Sequence, residues 1–310
     1  MSEIVQLTLP IFGLVALGWT AVRTGLAPRA ALDALSAFAF RFALPALVFR
    51  LVAGRPLAGS LDPVFFGGYL LGGIVVFAVA FALSRVLDRR AVAAAGARAT
   101  AAAVGNLGFL GPPLMLAFFG ERGAGPLATA ILAEIMVLLS VGAVIMSTAR
   151  SGDRAGIGSL VLRGTLLNPV VAAILLGTAF AATGATLPAP AELFLGHLGA
   201  AAGPTALFAL GGALALQRID RGTVATAAAI TAAKLIAYPA LVWWVLAHLL
   251  RMDPFWVQTG VLMAALPTAG NVYVVARQYA ADADRVSAAV LLSTSASIVT
   301  VPLVAALALG

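Results

Sequence analysis

Two asparagines interrupt sequence that is otherwise apolar, and each has prolines and glycines around it. Asn106 lies in GNLGFLGPPLMLAFFG, residues 105 to 120, and Asn271 in ALPTAGNVYV, residues 265 to 274. Proline removes a backbone donor and clashes with the preceding turn, while glycine tolerates unwound backbone, so both stretches predict a helix broken near its middle. A break creates a new helix N-terminus whose N–H groups lack partners and carry partial positive charge, and such an end can hold an anion without a basic side chain. The asparagine amides add donors and acceptors that orient it. The candidate binding residues are Asn106, Gly108, Gly111, Pro112 and Pro113 in the first stretch, and Pro267, Thr268, Gly270 and Asn271 in the second. The plainer alternative is that the prolines kink two helices for packing.

Glu134 and Lys234 fall deep in apolar runs, where a charge costs about 2.5–3.5 kcal/mol on insertion scales and must meet a partner or water. They read as a structural charge pair or, for Glu134, as a proton-coupling carboxylate; a neutral carboxylic acid is the third form that burial allows. Arg41 either snorkels toward headgroups or faces a substrate path. Ser293, Thr294, Ser297 and Thr300 place hydroxyls at spacings of three or four, on one helix face, where they bond neighbouring helices or line a polar cavity. His197 and His248 have no accompanying third ligand, so neither a metal site nor a histidine-based catalytic centre is predicted, and no cofactor is implied. The chain has no Cys, which excludes disulfides and thiolate chemistry.

The elements that must position these groups are membrane helices. Of 310 residues, 62% are hydrophobic and 10% charged, with a mean hydropathy of +1.06, far above a soluble domain. A span needs about 20 apolar residues, and long uninterrupted apolar runs select helices over a barrel. Ten runs qualify, at about 3–22, 33–53, 62–86, 97–119, 125–148, 159–181, 190–216, 224–249, 256–279 and 286–308. The opening MSEIVQLTLPIFGLVALGW has an acid and no base before its apolar run, so it reads as a retained first span.

Cytoplasmic loops collect Lys and Arg. Alternate loops hold Arg23 and Arg29; Arg85, Arg89, Arg90 and Arg98; Arg150, Arg154 and Arg163; Arg218 and Arg221; Arg277 and Arg285, thirteen in all. The opposite loops hold four: Arg50, Arg55, Arg122 and Arg251. Both termini are therefore predicted outside the cytoplasm of a multi-pass protein of the inner (plasma) membrane. The formal charge of +7 is scattered between apolar runs as topology signals, which argues against a nucleic-acid partner.

Five spans per half is an odd number, so tandem copies over 1–150 and 151–310 would enter the membrane in opposite orientations, as in many secondary transporters. FALPALVFRL (residues 42 to 51, span 2) matches AAGPTALFAL (201 to 210, span 7) at Pro45/Pro204, Phe49/Phe208 and Leu51/Leu210. Two spans after each match comes one of the interrupted stretches. Paired interruptions at corresponding positions are a pointer to a transporter's binding site.

On LPALVF, GNLGFLGPPL, NPVVAAILLG, PTALFALGGAL, KLIAYP, LPTAGNVYVVARQY and LLSTSASIVTVPL, which together run through nearly the whole chain, the sequence resembles the auxin efflux carrier family, within the wider bile acid, auxin and arsenite carrier superfamily. The resemblance implies an all-α fold of ten spans in two inverted five-helix repeats. Spans 1, 2, 6 and 7 would form a scaffold, and spans 3–5 and 8–10 a transport domain in which broken spans 4 and 9 cross. It also implies an elevator-like movement of substrate bound at that crossing. Asn106, Pro113, Pro267 and Asn271 stand on the matching motif positions and inherit the crossover role; Pro112 replaces an aliphatic residue, leaving open which proline marks the break.

The reading is a secondary carrier for a small organic anion, a mono- or dicarboxylate, and not an enzyme. The partners are the substrate and the bilayer, with homodimerisation left open. No nucleotide-binding G-x-x-x-x-G-K-[ST] motif is present. Proton coupling is favoured over sodium, because span 9 contains no Asp or Glu. An anion channel or passive facilitator is the alternative.

Overall fold

A computed structural model describes residues 2–54, 61–88, 92–147, 167–217 and 220–309. The described residues form helices, and the extended pairing among them is one isolated antiparallel bridge between Gly105 and Thr268. In chain order the helices are α1 (Ser2–Arg23), α2 (Arg29–Ala53), α3 (Pro63–Asp88), α4 (Val92–Ala103), α5 (Gly111–Phe119), α6 (124–147) and α7 (Pro169–Ala182). They continue with α8 (Ala189–Leu216), α9 (Arg221–Leu249), α10 (Pro254–Ala264), α11 (Gly270–Gln278) and α12 (Ala283–Leu309). Among the described residues seven helical stretches are long and apolar enough to cross a membrane: α1, α2, α3, the run Gly111–Ser147, α8, α9 and α12. The first part of the run expected at 159–181 lies outside the described residues, as do Arg55, Arg89, Arg90, Arg150, Arg154, Arg163 and Arg218 of the loop-charge pattern.

Local sequence explains where the helices begin, widen and end. The Asn168 side chain accepts from the N–H groups of Val170 and Val171 while Pro169 fills the first helical position of α7. Asp253 and Pro254 start α10 the same way, through the Phe255 N–H. Such caps satisfy donors that have no intrahelical partner, and proline there loses nothing. In α2 and α9, five-residue π segments, Ala39–Ala43 and Ala233–Ala237, run up to Pro45 and Pro239. A proline ring clashes with the carbonyl one turn earlier, and a widened turn lets the helix continue past it. Gly120 (φ 59°, ψ −152°) turns the corner between α5 and α6 in a conformation open essentially to glycine alone.

Two compact units divide the chain. Unit 1 comprises Met1–Asp62, Leu107–Thr129 and Asn168–Gln217; unit 2 comprises Pro63–Asn106, Ala130–Leu167 and Arg218–Gly310. In unit 1, α1 packs along α8 and α7 along α2. These contacts are close because glycine sits at them: Gly18 lies against the Phe208 carbonyl, Gly211 against the Val15 carbonyl and Gly177 against Phe49 and Val52. Between helices in lipid, contact of this kind replaces a hydrophobic driving force. In unit 2, α4 is almost wholly buried and packs on α3, the end of α6 and α12, with Gly96 against Ile145 and Gly142 against Thr100.

A Cβ on Gly211 would collide with the backbone of α1, whereas Gly13 has nothing within 4 Å of the corresponding point. Gly211→Val should therefore cost at least about 1–3 kcal/mol of stability, read as a lowered thermal midpoint and reduced monodisperse yield in detergent. Gly13→Ala should leave both unchanged.

Candidate functional site

The breaks in the two interrupted runs meet inside unit 2. After α4 the chain runs extended through Val104, Gly105 and Asn106; after α10 it runs extended through Pro267, Thr268 and Ala269. The segments pair antiparallel. The Asn106 N–H donates to the Pro267 carbonyl at 2.7 Å, and the Ala269 N–H to the Val104 carbonyl at 3.1 Å. The intervening N–H groups bond to side chains of α6 and α12. Gly105 donates to Glu134 Oε2 at 2.7 Å, and Thr268 to Ser293 Oγ at 3.1 Å. All four central donors are thereby consumed. The carbonyl ends of the half-helices are covered too: Thr268 Oγ1 donates to the Ala101 carbonyl (2.9 Å), and Lys234 Nζ to that of Ala264 (2.6 Å). A cation at a helix C-terminus is favourable on dipole grounds as well.

Glu134 and Lys234 are both fully buried. Among the described residues they form no ion pair within 4.0 Å of one another. Instead they flank Gly105, where a Cβ would stand 3.2 Å from Lys234 Nζ and 3.4 Å from Glu134 Oε2. The direct charge pair read from the sequence is thus replaced by compensation across a glycine, because each head group has a stronger local obligation to a broken backbone. Tyr69 donates to Glu134 Oε1 at 2.7 Å, and Tyr238 reaches the same oxygen at 3.5 Å. The Tyr238 ring also lies 4.7 Å from Lys234 Nζ, a cation–π contact.

Four π-helical segments occur among the described residues, and each holds one ionisable side chain: Arg41, Glu134, Lys234 and His248. In a widened turn the register of side chains shifts, which re-aims a single residue without ending the helix.

The structure therefore brings together Asn106, Pro267, Thr268, Glu134, Lys234 and Ser293, with Gly270 and Asn271 opening α11 directly after the pairing. Gly108, Gly111, Pro112, Pro113 and Arg41 belong to unit 1. Neither Pro112 nor Pro113 lies in the paired stretch, which is Val104–Asn106; both occupy the first turn of α5, where a missing N–H is harmless. Arg41 is exposed. Of the hydroxyls on α12, Ser293 touches the crossing, Ser297 bonds its own helix at the Thr294 carbonyl, and the hydroxyls of Thr294 and Thr300 are buried without a partner. Arg98, counted in the sequence as a loop base, is buried and pairs through Nε with Asp282 at 2.6 Å, while Arg285 holds the other Asp282 oxygen at 2.9 Å. That cluster ties α4 to the corner between α11 and α12, where Ala280 and Asp282 both adopt positive φ.

The α11 end differs from the pairing beside it. Its N-cap, Ala269, offers no side-chain acceptor, and among the described residues the N–H groups of Gly270 and Asn271 have no partner. The Asn271 Oδ1 is likewise buried and unpaired. The amide's NH2 and oxygen can exchange places, so the first turn of α11 holds three unpartnered polar functions at the positive end of a helix.

Comparison with known proteins decides the class. A family model described as "Membrane transport protein" matches residues 3–305. The chain belongs to this family. A protein of Rhizobium meliloti (strain 1021) named "Putative malonate transporter" is 36% identical over 303 residues, 97% of this chain and 94% of that protein. An "Uncharacterized transporter" of Methanothermobacter thermautotrophicus is 29% identical over 308 residues, 96% of each chain. The transport family and the apolar helices together make this a multi-pass membrane transporter.

Sequence reading missed Tyr69, Tyr238 and the role of Gly105. Tyr238 was within reach, since it follows Lys234 by four residues and so shares its helix face; Tyr69 carries no comparable signal. Gly105→Ala should press on Lys234 and strain its bond to the Ala264 carbonyl, lowering stability by about 1–3 kcal/mol together with transport. Gly108→Ala, in the same motif but with open space at its Cβ, should leave the thermal midpoint and transport near those of the parent.

Proposed function

We propose that the chain is a secondary carrier of small organic anions, mono- or dicarboxylates, working by elevator-type alternating access. One observation carries this reading: the four donors of the crossing are already spent, while the next two along the chain, at Gly270 and Asn271, are unpaired at a helix N-terminus beside the unpaired Asn271 amide oxygen. A carboxylate accepts from two adjacent N–H groups and an amide, and helix N-termini favour anions. The corresponding end of α5 is poorer, because Pro112 and Pro113 have no N–H. The anion is therefore held mainly by the second interrupted span.

The reading takes ten spans in two inverted repeats, 1–150 and 151–310. It is supported by the way each crossing segment hands an N–H to the following span of its own half, Gly105 to Glu134 and Thr268 to Ser293. Spans 1, 2, 6 and 7 act as scaffold and spans 3–5 and 8–10 as transport domain. In support, α1, α2, α7 and α8 group in unit 1, and α3, α4 and α9–α12 in unit 2. The protein lies in the inner membrane with both termini outside the cytoplasm. The name of the bacterial relative makes malonate the first substrate to try.

Counterflow in proteoliposomes tests this. Preloaded malonate, malate, lactate or indole-3-acetate should drive saturable uptake of its labelled counterpart, and Asn271→Ala should lower exchange at least tenfold while leaving the thermal midpoint unchanged. In the same vesicles Glu134→Gln should abolish uptake driven by a pH gradient but keep exchange, if Glu134 is the proton carrier. Unsaturable current, or failure of every anion to exchange, would reject the carrier.

A further inference from the structure

Arg50 stands apart from the crossing and has two carboxylate partners. It lies in the last turn of α2, and its Nη1 donates to Glu192 in the first turn of α8 at 2.8 Å, while Nη2 reaches Glu121 at 3.4 Å. The first distance is that of a charge-assisted hydrogen bond; the second is longer than one. All three residues belong to unit 1 and line a cavity of about 650 Å³, with Gly184, Thr186 and Leu187 on its wall. The Arg50 side chain is 26% exposed, that of Glu192 42% and that of Glu121 62%. One partner is thus held at hydrogen-bond distance, the other more loosely and more open to water.

The two carboxylates sit on different kinds of support. Arg50 and Glu192 are carried by long helices of unit 1, whereas Glu121 is carried by the short corner Gly120–Gly123 that joins α5 to α6. Gly120 turns that corner through its positive φ, and the corner carries the Glu121 backbone, so displacement of the hairpin of α5, corner and early α6 takes Glu121 out of reach of Arg50. That hairpin, Leu107–Thr129, groups with unit 1, although the remainder of the first interrupted span and of α6 groups with unit 2.

We propose that Arg50 is a latch. Glu192 is its permanent partner, and Glu121 is the partner released when the hairpin leaves the scaffold. This rests on the elevator reading above, in which spans 2 and 7 stay fixed and the corner between spans 4 and 5 travels. Two carboxylates are needed because a lone partner that departed would leave the guanidinium uncompensated in a partly buried position. With Glu192 in place, Arg50 remains paired in every state. Water access keeps the releasable contact weak, as exposed ion pairs are, so it sets the rate of departure without blocking it. Salt screens a contact of this exposure.

The test measures counterflow in proteoliposomes at 20–500 mM potassium chloride, roughly one to two decades of ionic strength around physiological. The parent protein should exchange faster as salt rises. Glu121→Gln should be about two- to fivefold faster at low salt, the range an exposed ion pair supports, and insensitive to salt. Glu192→Gln, which leaves Arg50 wholly to Glu121, should be slower than the parent and more sensitive to salt. Because the chain has no native cysteine, a second measurement is clean: Arg50→Cys with Glu121→Cys, joined by a reducible bifunctional thiol reagent, should stop exchange until reduced while carboxylates still raise the thermal midpoint. Equal responses of the two Gln variants, or undiminished exchange in the joined protein, would overturn the latch. Counterflow by the parent protein judges the carrier reading separately.

Discussion

A membrane span that is interrupted leaves backbone N–H and C=O groups without helical partners, and hydrocarbon offers them none. The crossing in unit 2 discharges that obligation. Two interrupted spans lie side by side so that their extended segments bond each other at Asn106–Pro267 and Ala269–Val104. What the pairing cannot reach is taken by side chains: Glu134 and Ser293 accept the outward N–H groups, and Thr268 and Lys234 donate to the exposed carbonyls. Burial of an acid and an ammonium, costly in isolation, is tolerable because each is bonded to backbone and each lies close enough to Gly105 to feel the other.

This constraint dictates composition beyond the crossing. Glycine at 105 suits the crowding there, because a Cβ would stand 3.2 Å from Lys234 Nζ and 3.4 Å from Glu134 Oε2. The helices that deliver Glu134 and Lys234 widen into π turns at those residues, and α4 is so closely surrounded that after Val92 it is built from Ala, Gly and Thr with one buried, ion-paired Arg98. At the crossing itself the backbone donors are all satisfied, and a satisfied polar network of this kind rigidifies the segment that carries it. The two donors left over, at Gly270 and Asn271, sit at its margin.

Much of this was legible in the sequence. Among the described residues apolar run lengths located the helices within about five residues, and Gly and Pro clusters located both interruptions, because those residues act through local sterics. Glu134, Lys234 and Ser293 stood out as polar groups in apolar surroundings. Their partners did not, because a hydrogen bond from Gly105 to Glu134 spans 29 residues and leaves no periodic trace. The sequence also suggested a direct Glu134–Lys234 pair, since opposite charges in lipid attract; the competing demand of broken backbone for strong partners is a tertiary fact. Arg98 misled for a similar reason: a base near a helix end signals topology until an acid such as Asp282 folds over it.

Amide hydrogen exchange resolved to single residues tests the central claim most directly. Without ligand, the N–H groups of Gly105, Asn106, Thr268 and Ala269 should exchange as slowly as those of the flanking helices although no helix contains them. Those of Gly270 and Asn271 should exchange quickly and slow only when a transported carboxylate is added. Rapid exchange at the first four positions, or ligand protection there in place of Gly270 and Asn271, would contradict the account.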